Sequence, residues 1–136
     1  MPEPSRAIVR LEIQSNEDVV VVRQRAREQS QRAGFSLLDT TKLVTAASEL
    51  ARNTLEHGRG GTVEIELVTD GARHGVKMTF ADEGPGIPDL QLALSDGYTS
   101  GGGLGLGLGG SRRLVNEFHI ESEVGRGTRV TVVRWK

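Results

Sequence analysis

Val9, Leu11 and Ile13 alternate with Arg10, Glu12 and Gln14, the period of a strand with one buried face. The period then lengthens. Val19, Val22, Ala26 and Ala33 follow helical spacing up to Gly34, with Asn16 or Asp18 placed to cap the start. The run of four valines there has poor helix propensity, so pattern has to outweigh propensity. A second helix is expected from near Asp39 or Thr40, with Leu43, Ala47, Leu50, Ala51, Thr54 and Leu55 as its apolar stripe and Gly58 as its end. Val63, Ile65 and Leu67 alternate with glutamates, Asp70-Gly71 supplies turn chemistry, and Val76, Met78 and Phe80 return as a second strand of a hairpin. From Asp82 to Gly103 the chain reads as loop, because Gly84, Pro85, Gly86 and Pro88 forbid regular structure at its start. Helical pattern resumes through Arg113, Leu114, Val115 and Phe118. Two strands then close the chain, Phe118 to Val124 and Thr128 to Trp135, joined at Gly125-Arg126-Gly127. Adjacent strands with helices grouped between them predict an α+β two-layer sandwich rather than a doubly wound parallel sheet, which would need strict βα alternation.

Composition narrows the function classes. At 136 residues the chain has the size of one domain, taken here as residues 1–136. Seventeen Lys+Arg against eighteen Asp+Glu leave a net charge of −1, which argues against a nucleic-acid or membrane-surface partner. With no cysteine, disulfides, thiolate zinc sites and cysteine nucleophiles are excluded. No apolar run approaches the roughly 18 residues of a membrane helix, and no signal-peptide core is seen, so a cytoplasmic address is expected. Eighteen glycines are the outlier, and eight of them fall among the fourteen residues from Gly97 to Gly110.

Three segments carry candidate chemistry. Glu49 and Asn53 lie one helical turn apart, with Thr45 on the same face and Arg52 on a different one. A carboxylate beside a carboxamide pairs a general base with an oxygen ligand for Mg²⁺, although most such pairs are merely a solvated helix face. Asp82 shares the strand parity of Val76, Met78 and Phe80 and so points towards the core, where a carboxylate has to be hydrogen-bonded. It is suited to an adenine amine, with Gly84 and Gly86 letting a base lie close, but a turn-capping Asp before Gly-Pro-Gly fits the same residues. In Gly101-Gly102-Gly103-Leu104-Gly105-Leu106-Gly107-Leu108, glycines free backbone N–H groups for an anion and a helix follows. No Gly-Lys-Ser/Thr follows, so this is not a Walker loop, and no βαβ unit gives it a dinucleotide-binding context.

The order of these motifs, closed by Thr128 in Gly125-Arg-Gly-Thr128, resembles the Bergerat ATP-binding fold shared by gyrase, Hsp90, histidine kinases and MutL. Ser48-Glu-Leu-Ala-Arg-Asn53, Asp82-Glu-Gly-Pro-Gly-Ile-Pro-Asp89, Asp96-Gly97 and Arg134-Trp135 carry a narrower resemblance, to the small anti-sigma-factor Ser/Thr kinases and, among them, the stressosome switch kinases. The resemblance implies a mixed, mostly antiparallel sheet and a site for ATP and Mg²⁺. It places Asn53 on the metal and Glu49 as the base for a serine or threonine hydroxyl. Asp82 falls on the adenine amine, assisted by Thr128, and Gly84 and Gly86 around the base. Residues from about Pro88 to Gly103 become a lid, and Gly101, Gly102, Gly103, Leu104, Gly105, Leu106 and Gly107 the phosphate-binding run. It implies STAS-domain antagonist proteins as substrates and a PP2C-type phosphatase as a later partner, with monomer or homodimer left open. An anti-sigma factor that sequesters a sigma subunit uses the same fold, and a non-catalytic ATP-sensing module is a third reading, which an intact Glu49 disfavours. Gly109, where relatives often carry proline, and the polar His57 depart from the pattern. His57, His74 and His119 are too scattered to suggest a metal site, and Arg112-Arg113 reads as a solvent-facing pair more readily than a phosphate contact.

Overall fold

The computed structural model describes residues 8–89, 94 and 108–136. Its elements run β1 (Ile8–Ile13), α1 (Asn16–Arg32), α2 (Leu37–Glu56), β2 (Gly61–Asp70), β3 (Arg73–Asp82), α3 (Leu108–Arg113), β4 (Glu117–Glu123) and β5 (Gly127–Trp135). The strands form one sheet in the order β1-β2-β3-β5-β4. All four pairings are antiparallel, which corrects the expected mixed character of the sheet. Among the described residues helices cover one face only, so the two-layer α+β sandwich holds.

The helix starts differ from expectation for one reason, a serine cap upstream of the acidic residues. Ser15 caps α1, its hydroxyl accepting from the Asp18 N–H at 3.2 Å, and Ser36 does the same for Asp39 at 3.1 Å. Asp18 and Asp39 therefore sit in first turns, where the helix dipole favours a negative charge. The valine run is helical because Val19 and Val22 are buried against the sheet, and tertiary packing overrides propensity. At the other end, α3 stops at Arg113 and Phe118 belongs to β4, not to a helix. Phe118, Ile120 and Ser122 share the sheet's inner face, where the two apolar side chains pack on the core.

The core lies between that face and the two long helices. Val63, Ile65, Val76, Met78, Phe80 and Val132 from the sheet meet Val22, Ala26, Leu43, Ala47 and Leu50 from the helices. The outer face is polar, with Arg10, Glu64, Thr79, Thr131 and His119 in one cross-strand row. Trp135 ends β5, its indole N–H donating to Glu117 at 2.8 Å and the Arg73 guanidinium lying 4.3 Å from the ring centroid.

One polar clamp joins three elements. Arg134 of β5 reaches under the sheet, donating to Asp39 Oδ1 at 2.5 Å and to the Leu114 carbonyl just past α3 at 2.9 Å. Hydrogen bonding to Arg134 is the main force holding the Asp39 carboxyl below its ordinary value. A carboxylate with a lowered folded pKa stabilises the protein above the unfolded value of about 3.9, and this contribution fades as pH falls through the lower folded value. Asp39→Ala, which strands the buried Arg134 cation, is expected to cost about 2–3 kcal/mol near neutral pH, a drop of roughly 6–15 °C in melting midpoint. The difference from wild type should shrink below about pH 4, and thermal melts across pH check both the size and the sign.

Candidate nucleotide site

Asp82 ends β3 opposite Thr128 of β5, and strand parity turns both side chains to the helical side. There they meet the last turns of α2. Leu50, Asn53, Thr54 and His57 of α2 line a pocket with Phe80, Asp82, Ile87, Leu108, Thr128 and Val130. Its walls are apolar on both sides and its few polar groups converge, the makeup of a site for a flat, partly polar ring. The open space inside is about 20 Å³, room for a water rather than a purine.

Burial is the main influence on Asp82 and raises its carboxyl above the ordinary value, against the opposing pull of N–H groups of Gly84 and Thr128 and of nearby His57. Gly84 N–H bonds to Asp82 Oδ1 at 2.9 Å. Close packing of backbone on backbone makes this geometry possible. A Cβ at Gly84 would lie 2.8–3.0 Å from the backbone of Gly58, and one at Gly58 would lie 2.3 Å from the Asp82 carboxyl carbon. Gly58→Ala is therefore expected to push Asp82 out of place, costing about 1–3 kcal/mol in stability along with nucleotide affinity. Calorimetry and a thermal melt on the same variant check the pair of effects.

Ser122, His57 and Gly58 are the site residues that sequence reasoning passed over. The Ser122 hydroxyl accepts from the Ile87 N–H at 2.7 Å, lies 2.9 Å from the Thr128 hydroxyl and bonds to the Gly127 carbonyl at 3.2 Å. It thus ties the loop after Asp82 to Thr128. A polar residue at an inward strand position, in step with Phe118 and Ile120, was the available signal. His57 caps α2 and its Nε2 lies 3.1 Å from the Gly86 carbonyl, so the departure at this position fastens the Asp82 loop to the helix. Gly86 itself has φ +79°, and a Cβ there would meet the Glu123 carbonyl at 2.5 Å.

Asn53 is half-buried, and its Nδ2 is fully buried with no hydrogen-bond partner among the described residues. That orphan is a donor and suits a phosphate oxygen, while the carbonyl Oδ1 is the atom of this side chain that could ligate a metal. Among the described residues no three His, Cys, Asp or Glu side chains cluster as a cage. One protein oxygen plus substrate phosphates is the manner in which Mg²⁺ is commonly held, so the residues present fit that ion.

Glu49 opens elsewhere. It shares a groove between α2 and α3 with Thr45, Gly110, Ser111, Arg113 and Leu114, while Asn53 faces the nucleotide pocket. Arg52, expected on a separate face, is instead an i,i+3 neighbour that pairs with Glu49 at 3.3 Å. Gly101, Gly102, Gly103, Leu104, Gly105, Leu106 and Gly107, and the lid expected from Pro88 to Gly103 apart from Pro88, Asp89 and Leu94, lie outside the described residues. No helix among the described residues is long and apolar enough to cross a membrane.

Comparison with known proteins shows the family. The family described as "Histidine kinase-, DNA gyrase B-, and HSP90-like ATPase" matches residues 38–136. The serine/threonine-protein kinase RsbT of Bacillus subtilis is 41% identical over 118 residues, 87% of this chain and 89% of that protein. The anti-sigma F factor of Geobacillus stearothermophilus is 34% identical over 100 residues, 68% of this chain and 66% of its own length. Among solved structures, the mycobacterial sensor histidine kinase MprB superposes with a TM-score of 0.56 at 18% identity, over 96% of this chain and 97% of that one. The catalytic domain of histidine kinase ThkA gives a TM-score of 0.53 at 20% identity, over 93% and 95% of the two chains.

Proposed function

Since the chain belongs to the histidine kinase-, DNA gyrase B- and HSP90-like ATPase family and is a serine/threonine-protein kinase, we propose that it moves the γ-phosphoryl of Mg·ATP onto a hydroxyl of a STAS-domain antagonist protein. Release from that antagonist then frees it to activate a PP2C-type phosphatase, the logic of a stressosome partner switch.

The observation that carries the reading is the placement of Glu49. Its side chain is 40% exposed, steadied by Arg52, and set one helical turn from Asn53. A residue needed only to bind nucleotide would face the pocket. Glu49 instead lines the open groove between α2 and α3, one helical turn from Asn53 of the pocket. In this reading Asp82 accepts from the adenine amine, Thr128 and Ser122 hold the edge of the base, and Asn53 holds Mg²⁺. The bound ion supplies neutralisation of charge on the phosphates. Phosphoryl transfer asks mostly for position and for such neutralisation. Glu49 takes the proton of the attacking hydroxyl, which leaves as the new phosphate ester bond forms and the β–γ bridge of ATP breaks, releasing ADP.

The likeness to anti-sigma F factors supports a second reading, in which the chain sequesters a sigma factor and phosphorylates its antagonist. Incubation of the chain with Mg·ATP and a co-encoded STAS-domain protein, read by intact mass, tests the first. Gain of one phosphoryl group on serine or threonine is the expected result. Tight ATP binding with no transfer would leave a nucleotide-sensing module, and sigma-factor capture would favour the second reading.

A further inference from the structure

We infer that Ser122 sets the base preference of the nucleotide pocket. It holds the Thr128 hydroxyl as an acceptor, so that Thr128 and Asp82 together take the two protons of one exocyclic amine. The inference rests on the nucleotide reading above and adds a residue that selects the base from behind the pocket lining.

The assignment follows from counting protons. A hydroxyl has one proton to give and two lone pairs that receive. The Ser122 hydroxyl has three neighbours: the Ile87 N–H at 2.7 Å, the Gly127 carbonyl at 3.2 Å and the Thr128 hydroxyl at 2.9 Å. The N–H only donates and the carbonyl only accepts. Ser122 therefore gives its proton to Gly127, and the 2.9 Å contact is a hydrogen bond only when Thr128 is the donor. The capacity of Ser122 is then filled. Thr128 has lone pairs alone left for any other neighbour.

The sheet holds this arrangement in place. Ser122 is the direct cross-strand partner of Thr128 on β4 and β5, and Thr128 is the direct partner of Asp82 on β5 and β3. Side chains so paired share a face and lie within reach of each other. Asp82 and Thr128 both line the pocket. An ionised carboxylate only accepts, and the N–H groups of Gly84 and Thr128 occupy about half of its roughly four lone-pair sites. Thr54, the other hydroxyl-bearing residue of the pocket among the described residues, gives its proton to the Leu50 carbonyl at 2.9 Å. These three side chains have lone pairs to offer and no free O–H.

A pair of acceptors matches an amine, which carries two protons. The corresponding edge of hypoxanthine, a keto oxygen beside an N–H, needs one acceptor and one donor. Against Asp82 and Thr128 its oxygen meets lone pairs, and an unpaired polar group in a closed site is strongly disfavoured.

Calorimetry of the full chain with Mg·ATP and with the inosine nucleotide Mg·ITP tests this, because the two differ only on that edge. The wild type should bind ATP about 100-fold more tightly than ITP. Ser122→Ala frees the Thr128 proton to turn towards a keto oxygen and should narrow that ratio about tenfold. Loss of the bond to Ile87 weakens both nucleotides alike and leaves the ratio untouched. Ser122→Thr keeps the hydroxyl and should restore the wild-type ratio. Thr128→Val deletes the hydroxyl that Ser122 orients, and should narrow the ratio as Ser122→Ala does, in a chain whose Ser122 is intact. An ATP/ITP ratio unchanged in Ser122→Ala or in Thr128→Val would overturn the role of Ser122 and leave the nucleotide reading standing. A wild type that binds neither nucleotide would overturn both.

Discussion

Glu49→Ala is expected to bind Mg·ATP as the wild type does and to lose phosphoryl transfer by about 10²–10⁴-fold, the range that a positioned general base contributes. The separation of the two effects follows from the geometry. Glu49 lines the α2–α3 groove and takes no part in the nucleotide pocket, whose α2 residues are Leu50, Asn53, Thr54 and His57. Its ion pair with Arg52 is half-exposed on both sides, so the variant should melt close to wild type. A loss of rate cannot then be blamed on unfolding. Glu49→Gln sharpens the test, because it keeps shape and hydrogen bonding and removes only basicity. Single-turnover transfer followed by intact mass, beside calorimetric ATP affinity, reads both halves. A variant that transfers phosphoryl at the wild-type rate would remove Glu49 from proton transfer.

The strands of this fold were legible because each alternates cleanly and each buries the parity its pattern announced. Val76, Met78 and Phe80 face the helices with Asp82 in step, and Thr128 follows Val130 and Val132 to the same side. Helix ends were less legible. Asn16, Asp18 and Asp39 are all acceptable caps by composition, and only the backbone shows that Ser15 and Ser36 hold those positions. The helix predicted through Phe118 failed for a related reason: Leu114, Val115 and Phe118 are apolar at helical spacing, and Phe118 fits an alternating strand equally well. Of the candidate site, Asn53, Asp82 and Thr128, which the structure brings to one pocket, were legible as side chains whose chemistry is conspicuous, whereas Glu49 lines a neighbouring groove. Ser122 and Gly58 were not, because their work is done against the backbone of distant residues. The Ser122 hydroxyl matters only because Ile87 N–H comes within 2.7 Å, and Gly58 only because Gly84 packs on its backbone. Pairings across 35 or 26 residues of sequence leave no local pattern to read.

Asn53→Ala is expected to lower Mg²⁺-dependent ATP affinity by roughly 10–100-fold or more, the usual cost of disturbing a metal's protein contacts. Binding measured with excess chelator in place of the ion should differ little between variant and wild type, because Asp82, Thr128 and the apolar walls are untouched. Stability should move the other way. The Asn53 Nδ2 is buried without a partner among the described residues, and removal of such a group relieves its desolvation penalty of about 1–3 kcal/mol, set against the packing lost with the side chain. A protein that is as stable as the wild type or more so, and yet blind to Mg²⁺, would mark Asn53 as a residue kept for its ligand rather than its fold. A cost in stability with unchanged Mg²⁺ dependence would mark the reverse, and would move the metal to an oxygen elsewhere in the site. Titration of ATP at several Mg²⁺ concentrations, paired with a denaturant melt, separates these outcomes in a single preparation.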